Sequence, residues 1–536
     1  MKKIGSLLFL LLTLCSFGQE DAWVYFTDKP DEVYYTNNPL EILSQRALDR
    51  RITQNITLDI KDIPISQTYI NQVASATGIT IMAKSKWLNA LHIRGSQTNI
   101  QALEVLSFVD HVQFANHSLN PTTRNGSYSN SNKSEEAFEI MANFNYGNSN
   151  NQIQMLNGHL LHQQDYTGQG KIIAILDAGF PGVNTATPFQ RLRDNNLILG
   201  GYNFPDRNTN FYTRNSHGTN VLSTMGGFAD GQLVGTAPDA EYYLFITEDT
   251  NSENPVEESY WVEALEMADS LGVDIINSSL GYTDYDNTSY SYSYSQRNGQ
   301  IGFASRGASI ASSKGIVCVV SAGNDGSASE NHISIPADAD NILTVGAVTS
   351  TEAYASFSSI GPSFDGRVKP DVCAKGQSAT VSSTTGTITI ANGTSFSSPI
   401  LAGMVASFWS ALPNLTASEV IQYVRQSADQ YLNPDNLKGY GVPDFQLALN
   451  NALNIESFFN TEITIYPNPV SEKLFIKLND NTNGEFNLYN NLGQKVLQVA
   501  VSKSQQNISL ESLSPGIYMY DFSANNTNLQ GKLIKQ

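Results

Sequence analysis

The chain has 536 residues, too many for one ordinary domain, and 40% of them are hydrophobic, enough for real cores and too many for a disordered polymer. With 50 acidic residues against 31 basic ones, the formal charge is −19 at pH 7, which excludes a protein that tracks nucleic-acid phosphates. Its 3 cysteines are too few for a disulfide framework.

At the start, Lys2 and Lys3 precede an apolar run at 4–14, and Ser16-Phe17-Gly18 follows it. This pattern reads as a secretory signal peptide, residues 1–18, with Gln19 first after cleavage. Leu14 is too large to precede Cys15 in a lipoprotein signal, which disfavours that alternative. No later stretch reaches about 18 uninterrupted apolar residues, so no transmembrane helix is expected in the mature form. Cys318 and Cys373 then remain, both in apolar strand contexts, where two buried thiols are favoured over a bridge.

Residues 19–120 alternate between strand-like and helix-like runs: strands at 23–27, 79–83, 90–94 and 109–115, helices at 66–76 and 98–106. The order is the β–α–β–β–α–β rhythm of a ferredoxin-like α+β domain. An Asn- and Ser-rich stretch, 121–150, follows and reads as a protease-accessible linker.

From 151 to 454 the rhythm becomes that of an α/β domain with a doubly wound, mainly parallel sheet. Strands are expected at 171–177, 241–246, 273–278, 315–321, 341–348 and 368–374, and helices at 217–228, 256–271, 301–314 and 395–412. Asp177 ends the first of these strands, where open α/β sheets place their sites. His217 opens a helical run within Ser216-His217-Gly218-Thr219, and Ser395 lies between the Gly393-Thr394 turn and an apolar helix. A helix start offers unpaired N–H groups and a positive dipole end to a developing oxyanion. Singly, each has a plain explanation: a turn residue, a satisfied histidine, an N-cap. Together they supply acid, base and nucleophile for acyl transfer.

These blocks resemble the signature segments of the subtilisin-like serine proteases, the subtilase family, in that family's chain order. Ser321-Ala322-Gly323-Asn324 resembles the oxyanion-hole segment, so Asn324 would donate its amide beside the Ser395 N–H. Asn277-Ser278-Ser279-Leu280-Gly281 resembles the substrate edge, which implies that Ser279, Leu280 and Gly281 bind extended peptide. Ser321, Ala322 and Gly323, with residues around 334–336, would line the primary specificity pocket, where no charge is placed and an apolar preference is the default. Two departures stand out. Ala178 follows the aspartate where the family has Ser or Thr, removing one hydrogen bond near the carboxylate. Phe396 and Ser397 follow the serine where Met and Ala are commonest.

The resemblance implies a secreted serine endopeptidase that works through an acyl-enzyme on protein or peptide substrates and requires no cofactor for chemistry. Family members often bind structural calcium, but no EF-hand-like spacing assigns ligands here. By its position, 19–120 resembles a subtilase propeptide, an inhibitor and folding aid; an accessory domain is the alternative. The Tyr-rich stretch 282–298 is expected to be a solvated surface loop rather than a substrate contact. An exported binding or adhesion protein on an inactive subtilase scaffold is the alternative function, disfavoured because all four catalytic groups are present. An α/β-hydrolase is excluded because its serine comes first in the chain.

After about 455 short alternating segments with turn signals point to a small β-sandwich. Ile465-Tyr466-Pro467-Asn468-Pro469, Leu492-Gly493-Gln494 and Leu513-Ser514-Pro515-Gly516 resemble the sorting domain of type IX secretion. That resemblance implies passage through the periplasm and outer membrane of a Gram-negative bacterium to the surface or medium, with the type IX machinery as partner. A carbohydrate-binding sandwich is the rival, without an evident aromatic platform.

Overall fold

The structure is a computed structural model that describes residues 18–120, 144–453, 463–466, 470–478, 484–490, 493–502, 507–524 and 527–536. Residues 1–17 of the signal-like segment, linker residues 121–143 and Pro467-Asn468-Pro469 lie outside the described residues. Contacts divide the chain into two compact units, Met1–Asn454 and Ile455–Gln536.

In the first unit, Gln19–Phe26 (β1) is an inner strand of a four-stranded antiparallel sheet. Between it and the next strand lie Glu32–Asn37 (α1), Gln45–Thr53 (α2) and Gln67–Ala74 (α3). Then come Ile79–Ser85 (β2), Ala90–Ser96 (β3), Gln97–Gln101 (α4) and Val109–Phe114 (β4), and the sheet order is β2-β3-β1-β4. The β–α–β–β–α–β order is as expected, with α3 and α4 as its helices. The helices α1 and α2 were not anticipated. Val24, Leu91, Ile93 and Val73 close the core on the helical side of the sheet.

The rest of this unit is built on seven parallel strands. In chain order they are Ile172–Asp177 (β5), Ile198–Asn203 (β6), Glu241–Ile246 (β7), Ile275–Ser278 (β8), Val317–Ser321 (β9), Leu343–Val348 (β10) and Val372–Lys375 (β11). The spatial order is β11-β10-β9-β8-β5-β7-β6, and every pairing is parallel. Strands β5, β9 and β10 are buried at every position, as near-continuous apolar runs require when helices cover both faces. The expected strands are present; β6 at the sheet edge is additional. His217–Gly226 (α5), Val256–Leu271 (α6), Phe303–Ser313 (α7) and Thr394–Ala411 (α8) match the expected helices, and Ala417–Gln426 (α9) and Phe445–Ala452 (α10) close the domain.

The N-terminal sheet lies against α6 and α7. Trp23 stacks on Phe303 at 5.0 Å between centroids and donates to Ser259 Oγ at 2.9 Å. Glu266 of α6 accepts from Ser85 Oγ and from the backbone N–H of Lys86 and Trp87. Buried His92 bridges Asp21 and Ser259.

The stretch 282–298 is not a solvated loop. Tyr282, Tyr285, Tyr290 and Tyr292 are buried, and the Tyr285 and Tyr292 hydroxyls both donate to buried Glu258 at 2.7 Å. A Tyr/Ser/Asn composition suits solvent, but an unpaired carboxylate inside the protein needs donors, and the tyrosines supply them. Cys318 and Cys373 are buried and free.

The second unit pairs Ile463–Tyr466 (β12), Lys473–Leu478 (β13) and Asn507–Ser509 (β14) in one sheet. A second sheet contains Gly484–Tyr489, Lys495–Val501, Gly516–Ala524 and Thr527–Lys535. Leu474, Ile476, Phe486, Leu488 and Phe522 form its core, as in a small sandwich.

Candidate active site

The carboxylate of Asp177 ends β5 and is fully buried. Its Oδ1 accepts from the Ala178 N–H at 2.7 Å and faces His217 Nδ1 at 2.8 Å. Oδ2 has no partner among the described residues.

His217 is the first residue of α5, its side chain 31% exposed. Two glycines bring it to Asp177. A Cβ on Gly218 would lie 2.6 Å from Gly179 O, and one on Gly179, whose φ is +150°, would lie 2.3 Å from Thr213 O. The helix start therefore rests directly on the turn after β5. The Asp177 carboxylate raises the His217 pKa above its usual value, burial opposes this, and Glu248 adds a smaller upward push.

Ser395 sits in the first turn of α8, behind Gly393 with φ +148°. Its hydroxyl donates to Ser279 O at 3.3 Å, and Ser279 Oγ donates back to Ser395 O at 2.9 Å. Pro399 makes the second bond available. A residue with an N–H at 399 would bond to Ser395 O, and proline has none. Ser398 Oγ donates to Asn277 Oδ1 at 3.0 Å, which ties the serine helix to β8 itself.

Asn324 follows β9. Its Oδ1 accepts from Thr394 N at 2.9 Å and Thr394 Oγ1 at 3.1 Å. A backbone N–H can only donate, so the amide orientation is fixed and Nδ2 faces away from Thr394. Among the described residues nothing claims the Ser395 N–H, nor the backbone N–H and C=O of Leu280 and Gly281. An unpaired edge of this kind can take an added strand.

Ser334 stands in the gap between Gly281 and Gly323. A Cβ on Gly281 would lie 2.3 Å from Ser334 Oγ, and one on Gly323 would lie 3.4 Å from it. Ser334 N donates to Ala322 O, while Tyr282 and Ile335 pair across the same gap. The Ser334 residue is 4% exposed and its hydroxyl has no partner among the described residues.

Sequence reasoning missed Glu248 and Arg214. Glu248 lies two residues beyond β7, at the sheet end that also carries Asp177, which was the available signal. It accepts from the Tyr282 hydroxyl at 2.8 Å, and burial pushes its pKa up to about 7. Arg214, with φ +65°, ties the strap carrying His217 to Asp206, Glu248 O and Asp249.

A model of the subtilase family matches residues 168–441. A model of the peptidase S8 propeptide domain of Bacteroidota matches 21–134, and one of the secretion system C-terminal sorting domain matches 464–536. Subtilisin NAT of Bacillus subtilis subsp. natto is 31% identical over 301 residues, covering 55% of this chain and 70% of the relative. Subtilisin DY of Bacillus licheniformis is 32% identical over 272 residues, covering 50% of this chain and 87% of the relative. The crystal structure of MycP1 from Mycobacterium smegmatis aligns with a TM-score of 0.43 at 22% identity, over 60% of this chain and 89% of that one.

Proposed function

This chain belongs to the subtilase family and is a secreted serine endopeptidase, and on that premise we propose that Asp177, His217 and Ser395 carry its chemistry. The observation that supports this reading best is the 2.8 Å contact of His217 with a buried carboxylate, on the same sheet end as a serine whose N–H is unclaimed among the described residues. In the resting arrangement the Ser395 hydroxyl leans on Ser279 O. Substrate pairing with Leu280 and Gly281 would turn it toward His217, which accepts its proton as Oγ attacks the peptide carbonyl. Asp177 orients the imidazole and stabilises its charged form. Nδ2 of Asn324 and the Ser395 N–H receive the oxyanion, His217 protonates the leaving amine, and water releases the acyl group. This scheme runs on the chain's own side chains and asks nothing of a metal or cofactor.

Ser279, Leu280 and Gly281 then form the substrate edge, and Ser321, Ala322 and Gly323 the facing wall. Domain limits of 19–120, 121–150, 151–454 and 455–536 fit this division of labour, with 19–120 as folding aid and inhibitor. Replacement of Ser395 by Ala should abolish peptidase activity while peptide binding persists; undiminished activity would end the assignment.

We further propose that residues from 455 onward direct the protein through the periplasm and across the outer membrane by the type IX machinery. The sorting-domain match supports this route. A chain ending at 454 should be active but remain in the periplasm. Its efficient appearance in the medium would refute the route.

A further inference from the structure

The helix α6 ends badly by its own residues. Its first turn carries Glu257 and Glu258, which suit the positive end of the dipole, but its last turn carries no basic residue and includes fully buried Asp269. A carboxylate at the negative end of a helix, removed from water, is unfavourable. The cations that correct this come from residues 27–65, the arm between β1 and α3, more than 200 positions away in sequence.

Arg51 of α2 donates to both oxygens of Asp269, at 3.0 and 2.9 Å, and to Asp62 at 2.6 Å. Arg50 bonds the same Asp269 carboxylate and the Val273 carbonyl. Arg46 reaches Gly272 O at 3.0 Å, Gly170 O at 2.9 Å and Asp274. Backbone Ser44 N donates to Ser270 O at 2.8 Å. The carbonyls of Ser270, Gly272 and Val273 lie at the end of α6 or just past it, where a helix leaves acceptors unsatisfied, whereas Gly170 precedes β5. The end of α7 is treated likewise: Gln54 Nε2 donates to Gly315 O at 2.9 Å, and Lys314 is paired to Asp62 of the arm at 2.9 Å. Gly272 and Gly315, at φ +84° and +83°, leave room for the arm; side chains there would strike Arg46 and Gln54 at 2.8 Å.

The turns so capped lead directly into β8 and β9, the strands that end at the substrate edge and at Asn324. We propose that the arm completes the C-terminal ends of both helices, supplying guanidinium groups at α6 and the Gln54 amide with the Asp62 carboxylate at α7, and that this capping drives folding of the central sheet, separately from any inhibition exerted at the cleft. The proposal rests on the reading of 19–120 as a propeptide and names which part of it acts on folding, through which partners.

The test uses the full chain in a Ser395→Ala background, so that self-cleavage does not intervene, with refolding from denaturant followed by tryptophan fluorescence. Arg50→Gln with Arg51→Gln leaves Asp269 buried without its cations, and refolding should slow by about tenfold or more. Adding Asp269→Asn removes the stranded charge and should restore the rate to within about threefold of the parent. If the double variant fails to fold at all, recovery in the triple variant still supports the capping role. Parent-like refolding of the double variant, or no recovery on adding Asp269→Asn, overturns it. Counterparts that retain Ser395, freed of the propeptide, should share the parent's kcat/KM. A faulty catalytic assignment would appear in that turnover and leave the refolding comparison untouched.

Discussion

Asn324 is held by two bonds of unequal kind, and that difference predicts a graded response in catalysis. Asn324→Ala removes the Nδ2 donor that the proposed mechanism assigns to the oxyanion. A donor of this type in subtilisin, a relative of this chain, is worth about 10²–10³ in kcat, or about 2.7–4 kcal/mol, and we borrow that magnitude. Thr394→Val deletes only the Oγ1 bond to Asn324 Oδ1 at 3.1 Å and leaves the Thr394 N bond at 2.9 Å in place. One neutral bond contributes about 0.5–1.5 kcal/mol net, so the amide is loosened and kcat should fall by at most about tenfold. In both variants KM should stay near the parent value, because the oxyanion exists only beyond the ground state. Steady-state kinetics on one peptide substrate, with kcat and KM resolved, reads both effects. A loss carried by KM, or a Thr394→Val defect as large as that of Asn324→Ala, would refute the reasoning.

The pH profile carries a sign. His217 must be neutral to accept a proton and its pKa is raised, so activity should fall with acid around a midpoint above about 6.5. Glu248→Gln removes a carboxylate that favours the imidazolium when ionised and, since burial pushes its pKa up to about 7, should move that midpoint only slightly toward acid; a parent midpoint at or below 6.5, with the fold intact, contradicts the His217–Asp177 coupling. The Ser334 hydroxyl fills the gap between Gly281 and Gly323, so small side chains should be preferred before the cleaved bond. Ser334→Gly should raise kcat/KM for a large apolar residue there, relative to alanine, by about tenfold or more; an unchanged ratio would show that the slot is not the specificity pocket.

The candidate site is legible in the chain because Asp177, His217, Asn324 and Ser395 each stand at or just past a strand or helix end, flanked by a glycine turn or an apolar run that marks the boundary. Strand β6 was hidden by Gly200 and Gly201, which weaken any strand signal. Gly201 is required there, since a Cβ would lie 2.1 Å from Leu244 O. The tyrosines of 282–298 looked solvent-facing because their carboxylate partners, Glu258 for Tyr285 and Tyr292, Glu248 for Tyr282 and Glu20 for Tyr290, are distant in sequence and leave no local mark. The same holds for Arg50 and Arg51. A double arginine in a short helix reads as surface until Asp269, 218 positions from Arg51, is placed against it. Apolar periodicity reports local elements, whereas long-range polar pairing appears only once the fold brings the partners together.

The most direct test of the catalytic account is a pre-steady-state measurement with a chromogenic ester on the protein freed of residues 19–120, followed by mass analysis of the quenched enzyme. The account predicts a burst of about one leaving group per active site and an acyl mass on the peptide containing Ser395, both absent in Ser395→Ala. Turnover without a burst, together with an unmodified Ser395 peptide and activity that survives Ser395→Ala, would contradict it.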